Sequence, residues 1–219
     1  MTDPAVPPAA SAPARRPLSR GKKFLFSLLL LALFGLFVEV VLRCTHLFGA
    51  RLAWTEPDPS IGWRFVAGSD YWFFQENDHP ITGRINAHGW RDREWSLEKP
   101  PGTVRVAVLG DSMVEAFQGE AERTFLALAE AGWNAGRAPR LELMNFGRSG
   151  CTQSEELLIL EQDVDRFAPD AVVLVFTPSN DVQDVRPETS PTPLRPFYRV
   201  ANDGALALDT SFTGLRGYR

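Results

Sequence analysis

The chain has 219 residues, 44% hydrophobic and 11% aromatic, with 23 Lys and Arg against 27 Asp and Glu for a net charge of −4. Beyond Lys23 it holds 18 basic and 26 acidic residues, net −8, which argues against nucleic acid as a partner and against docking on anionic lipid through a basic surface. The two cysteines, Cys44 and Cys151, have neither metal-ligand spacing nor a framework of neighbours, so no metal, no cofactor and no disulfide between them is expected.

Residues 1–22 are rich in Pro, Ala and Ser and read as a disordered tail. From Phe24 to Leu42 the chain is almost continuous Phe, Leu, Val and Ala, broken by Ser27, Gly35 and Glu39. That length approaches the roughly 20 residues needed to cross a bilayer, and residues 23–43 are assigned to one transmembrane helix. Arg15, Arg16, Arg20, Lys22 and Lys23 precede it, which by the positive-inside rule leaves the N-terminus in the cytoplasm and the body outside the inner (cytoplasmic) membrane. The run is longer than a signal-peptide core and no Ala-x-Ala site follows, so an uncleaved anchor is expected. Glu39, about one turn from the outer end, can reach the interface.

Residues 44–102 form an aromatic-rich lead-in with Trp54, Trp63, Phe65, Tyr71, Trp72, Phe73, Phe74, Trp90 and Trp95. Side chains this large are usually buried, so a local core is expected over a sugar-stacking surface. His79 and His88 also lie here; turn or surface roles are the default, with service as a base to a downstream serine the alternative.

Residues 103–219 read as an α/β domain. Val104–Leu109, Leu141–Phe146 and Ala171–Phe176 are apolar strands, with helical patterns over Arg123–Trp133 and Gln153–Phe167 between them. Thr152 with Glu155 forms a capping box ahead of the second helix. Phe197–Ala201 and Ala205–Asp209 flank Asn202-Asp203-Gly204 as a hairpin. Each apolar strand runs into a loop bearing polar chemistry: Gly110-Asp111-Ser112, then Arg148-Ser149-Gly150, then Ser179-Asn180-Asp181. Open α/β sheets place their active sites at such strand ends. Acyl transfer needs a nucleophilic hydroxyl with N–H donors aimed at the developing oxyanion. Ser112 supplies the hydroxyl and one N–H, Gly150 a second N–H, and the Asn180 amide a third. Cys151 is a rival nucleophile that lacks an activating basic neighbour in sequence, and a small buried residue is its expected role.

In these three blocks, and in the lead-in patterns Asp58-Pro-Ser-Ile-Gly-Trp63 and Ile85-Asn-Ala-His-Gly-Trp-Arg-Asp92, the chain resembles the SGNH/GDSL hydrolases of the membrane-anchored bacterial type. The resemblance implies a flavodoxin-like three-layer α/β sandwich over residues 103–219, with Ser112 as nucleophile and Gly150 and Asn180 as oxyanion donors. It also implies a fourth block, Asp-x-x-His, carrying the base and its orienting acid. No such block occurs in these residues, so the domain is expected to be partial and, as it stands, of little activity. The substrate expected is an acylated carbohydrate or lipid, attacked by hydrolysis or acyl transfer. The alternative is a non-catalytic binding or assembly module of the cell envelope; the oligomeric state is left open.

Overall fold

The computed structural model describes residues 19–45, 51–74 and 80–218. His46 and His79 and most of the N-terminal tail lie outside these, as does the side chain of Cys44. The chain divides into two units, 1–48 and 49–219.

Among the described residues the first unit holds one helix, α1, Arg20–Thr45. Its 26 residues rise about 39 Å at 1.5 Å each, more than the roughly 30 Å hydrocarbon core of a bilayer. Residues 20–42 are long and apolar enough to cross a membrane. Phe24, Leu30, Phe34 and Phe37 stand exposed around the helix, the all-round apolar surface of a segment that water does not favour. The helix begins four residues before Phe24, because Lys22 and Lys23 are good helix formers.

The second unit is mixed α/β. Its centre is a parallel three-stranded sheet in the order β7-β6-β8, with β6 spanning Thr103–Gly110, β7 Arg140–Gly147 and β8 Ala171–Val175. Alternation along β6 assigns its faces. Val106 and Val108 meet Leu126 of α3 (Phe125–Asn134), while Ala107 and Leu109 meet Leu158 and Ile159 of α4 (Gln153–Ile159). Helices therefore cover both faces of β6, whereas Val172, Val173 and Leu174 of β8 stand exposed. α3 starts two residues later than the Leu/Ala pattern suggests: Arg123 belongs to a 3₁₀ turn, and the Thr124 hydroxyl caps the helix by accepting Ala127 N–H at 3.3 Å. α4 is shorter than the Gln153–Phe167 pattern. It passes into a π-helical stretch, Leu160–Val164, and a 3₁₀ turn, Asp165–Phe167, which rotate Val164 and Phe167 onto the sheet. The Thr152–Glu155 capping box is present.

The lead-in supplies five short strands: β1 Arg51–Ala53, β2 Thr55–Asp58, β3 Gly62–Phe65, β4 Asp70–Phe73 and β5 Ile81–Arg84. β2 and β3 form a hairpin, and β1-β4-β5 an antiparallel sheet. Phe65, Tyr71, Phe73 and Ile81 bury together around Phe117, whereas Ile61, Trp90 and Trp95 join the α4 face of the parallel sheet. Most of the lead-in aromatic residues are thus divided between a core of their own and the core of the parallel sheet, but Trp54 and Phe74 stand exposed, against the expectation of burial. The hairpin at the far end is β9, Phe197–Val200, paired with β10, Leu206–Asp209. α2, Ser112–Glu115, and α5, Asp181–Asp184, are single turns that follow β6 and the β8 loop.

Candidate active site at the strand ends

Register brings the three candidate loops to one end of the sheet. Gly110 of β6 pairs with Gly147 of β7 on one side and with Val175 of β8 on the other, so the chain leaves all three strands at one level. The close approach depends on missing side chains. A Cβ on Gly110 would stand 2.5 Å from Val114 Cγ2, and one on Gly147 would stand 2.3 Å from the Glu115 nitrogen. Only glycine lets α2 fold back over these ends.

Asp111 organises the turn. Its Oδ1 accepts Met113 N–H at 2.9 Å and caps α2, and its Oδ2 accepts Asn180 Nδ2 at 2.8 Å. One buried carboxylate therefore fixes both the backbone around Ser112 and the amide of the third loop. Ser112 is partly exposed and opens α2, while Asn180 Nδ2 also lies 3.4 Å from Asp181 Oδ1. The Gly150 loop is tied to the same turn: Arg148 N–H donates to the Gly110 carbonyl at 3.1 Å, and the Ser149 hydroxyl donates to Glu115. Gly150 itself has φ +70°, a left-handed conformation that favours glycine. Its carbonyl accepts from Arg195. Ser112, the Gly150 loop and Asn180 thus occupy adjoining loops.

Behind them lies a buried charge network that the motifs do not reveal. Arg148 donates to the Ile61 carbonyl at 2.9 Å and to the Trp63 carbonyl, lies over the Trp63 ring at 4.7 Å, and reaches Glu155 Oε1 at 3.4 Å. Arg195 Nε meets the same Glu155 oxygen at 3.1 Å. The β2–β3 hairpin is thereby clamped to the loop that carries Gly150. Glu156, next along α4, is 3% exposed, and among the described residues neither of its carboxyl oxygens has a hydrogen-bond partner. Burial, then the carboxyls of Asp181, Glu155 and Asp111, push its pKa up to about 8. Asp181 is also raised, first by burial, against the Thr177 N–H that its carboxylate accepts at 2.7 Å. The signal for this network was two successive acids on the buried face of an amphipathic helix, which a sequence read for nucleophiles passes over.

For Cys151 the premise changes while the expected buried role stands, and for His88 the alternative of a base to Ser112 falls away. Cys151 does have a basic neighbour, since Arg148 lies 3.6 Å from its sulfur. Complete burial outweighs it and pushes the thiol up to about 12, leaving Cys151 neutral and unreactive. His88, the one histidine among the described residues, stacks on Trp95 and meets Phe167 edge-on at 5.0 Å, with Nε2 3.1 Å from the Trp95 carbonyl. The Phe167 carbonyl accepts from Arg105 near the start of β6, so His88 stands away from the Ser112 end and does not serve it as a base.

A cavity of about 530 Å³ opens elsewhere in this unit, lined by Tyr71, Arg91, Asp92, Arg93 and Glu130. Asp92 there is raised to about 6, chiefly by burial, while it accepts Asn145 N–H at 2.8 Å. Its linings pair charges of both signs and include none of the strand-end residues. No family model matches the chain, and no curated protein matches it.

Proposed function

We propose that the chain is a membrane-anchored, extracytoplasmic serine hydrolase or acyltransferase of the SGNH/GDSL type, acting on acyl esters of carbohydrate or lipid. The observation that carries the reading is the meeting of Ser112, the Gly150 loop and Asn180 at one end of the sheet, with Asn180 held 2.8 Å from Asp111. In the reaction Ser112 Oγ attacks the acyl carbonyl while its proton passes to a base. The carbonyl π electrons move to oxygen, and the N–H groups of Ser112 and Gly150 with the Asn180 amide receive that oxyanion. Collapse expels the alcohol with a proton, and water or an acceptor hydroxyl then releases the acyl group. The resemblance places the base in an Asp-x-x-His block, which these 219 residues do not contain. The five basic residues up to Lys23, which precede the apolar run of α1, support an N-terminus inside and the second unit outside the inner membrane. Fusion after Arg51 should activate alkaline phosphatase and not a cytoplasmic reporter.

Imidazole supplied in solution tests the chemistry. The detergent-solubilised chain should cleave p-nitrophenyl acetate no faster than Ser112→Ala in plain buffer. With imidazole present a Ser112-dependent increment should appear, and Asn180→Ala should cut it about 10²-fold, the usual cost of one oxyanion donor. The placement of His88 away from Ser112 favours a second reading, a binding module that holds an acylated ligand without turnover. Absence of any Ser112-dependent increment at saturating imidazole overturns the hydrolase reading in its favour.

A further inference from the structure

Five carboxyl groups behind the strand ends are at most 3% exposed, Asp111, Glu115, Glu155, Glu156 and Asp181, and Asp184, 9% exposed, stands on the same turn as Asp181. Four of the five have assigned partners. Asp111 holds Met113 N–H and Asn180, Glu115 accepts Ser149, Asp181 accepts Thr177 N–H, and Glu155 is shared by Thr152, Arg148 and Arg195. Glu156 is the exception, although it is as deeply buried as the others. It lies within electrostatic reach of Asp181 on α5 and Asp111 in the β6–α2 turn, with Glu155 beside it on its own helix and Arg148 as the cation that acts on it. That guanidinium is already committed to Glu155 and to two carbonyls. An ionised carboxylate without a hydrogen bond between two others is strongly disfavoured, and the relief open to it is to keep its proton.

We propose that Glu156 is a positioning residue for Asn180: while uncharged it leaves undisturbed the Asp111 and Asp181 carboxylates that hold the Asn180 amide, and ionising it disperses that cluster. The step is a proton loss to solvent and nothing else. A third negative charge then repels Asp111 and Asp181, and the amide between these two carboxylates loses its fixed direction. The proposal deepens the hydrolase reading and rests on it only for its rate readout. A titration at about 8 leaves ten neutral Glu156 to one ionised at pH 7 and the reverse at pH 9. The competent population therefore falls about tenfold across that interval.

The test follows the Asn180 side-chain amide by NMR in the detergent-solubilised full chain labelled with ¹⁵N-asparagine, its signal assigned by loss in Asn180→Ala. In the unsubstituted chain the signal should shift with a midpoint near pH 8. In Glu156→Gln, a neutral group of the same shape, that titration should vanish. Asp181→Asn removes one repelling charge and should move the midpoint to lower pH, which keeps the test decisive should Glu156→Gln not fold. An Asn180 signal that is flat from pH 6.5 to 9.5, or a midpoint unmoved by either substitution, overturns the proposal. The imidazole-assisted increment, taken per free imidazole base, should fall about tenfold from pH 7 to 9 and stay level in Glu156→Gln. If the amide titrates through Glu156 while no variant shows a Ser112-dependent rate, the positioning role stands and the hydrolase reading fails.

Discussion

Replacing Arg148 with Met measures how firmly the lead-in is coupled to the candidate site. Arg148 is 1% exposed and joins two segments far apart in sequence: its guanidinium serves the carbonyls of Ile61 and Trp63 in the lead-in and Glu155 at the start of α4. Met keeps the length of the stem and deletes the charge and every donor. Two buried carbonyls then lose their bonds, at about 1–3 kcal/mol each. Glu155 keeps Arg195 at 3.1 Å, so its loss stays below the ~3–5 kcal/mol typical of a stranded buried charge. Against this stands the relief of no longer burying a guanidinium, which brings the expected net loss to about 3–4 kcal/mol. For a domain of this size that lowers the Tm by roughly 6–16 °C. Guanidinium chloride unfolding of the full chain in detergent, followed by tryptophan fluorescence, reads the change directly. A variant within about 1 kcal/mol of the unsubstituted protein refutes the clamp, since desolvation would then cancel all that the bonds contribute.

Glu156→Gln also changes how stability depends on pH. An acid that titrates near 4.5 when unfolded and near 8 when folded makes the native state the better proton binder between those values. Stability is therefore lost as pH rises from 4.5 to 8, and unfolding at pH 5 and pH 9 should show Glu156→Gln gaining a few kcal/mol on the parent at the higher pH; a pH-independent difference refutes this. Gly147→Ala would set a Cβ 2.3 Å from the Glu115 nitrogen, a backbone atom that cannot step aside, and should destabilise by about 1–3 kcal/mol in thermal unfolding. On β8, Val172, Val173 and Leu174 are 43–49% exposed on a strand paired only with β6, an edge prone to self-association. Val173→Lys should lower light scattering at high protein concentration with little change in Tm, and equal scattering would remove the edge from suspicion.

The parallel sheet was legible because three apolar runs ended in polar loops, and the hairpin because alternation flanked Asn202-Asp203-Gly204. Boundaries failed where local chemistry outweighed periodicity: Thr124 caps α3 after Arg123, and the π-helical stretch rotates the end of α4. The lead-in strands were missed because they are three or four residues long and owe their form to packing around Phe117 and the α4 face. Ser112, Gly150 and Asn180 were legible as residue types at strand ends. Their supports were not, because Arg148 with Ile61 and Asn180 with Asp111 are pairings across 87 and 69 positions of sequence.

An oxyanion site in such a setting faces a constraint that the motif residues do not express. The five carboxyls at most 3% exposed, set against the guanidinium groups of Arg148 and Arg195, would, if all ionised, leave at least three uncompensated negative charges beside the place where a further one must form, with Asp184 close by on α5. At the low effective dielectric of a buried site each would oppose the oxyanion by several kcal/mol at contact distances. N–H donors can neutralise a carboxylate in part, and Asp111 and Asp181 each hold backbone N–H groups that do so. Glu156 has no such donor, and its proton is the remaining means of keeping the field tolerable. The Asn180 amide is shared by the same requirement. While the site is empty the amide compensates Asp111 at 2.8 Å and reaches Asp181 at 3.4 Å, so donating to the oxyanion means giving up the longer of these two contacts.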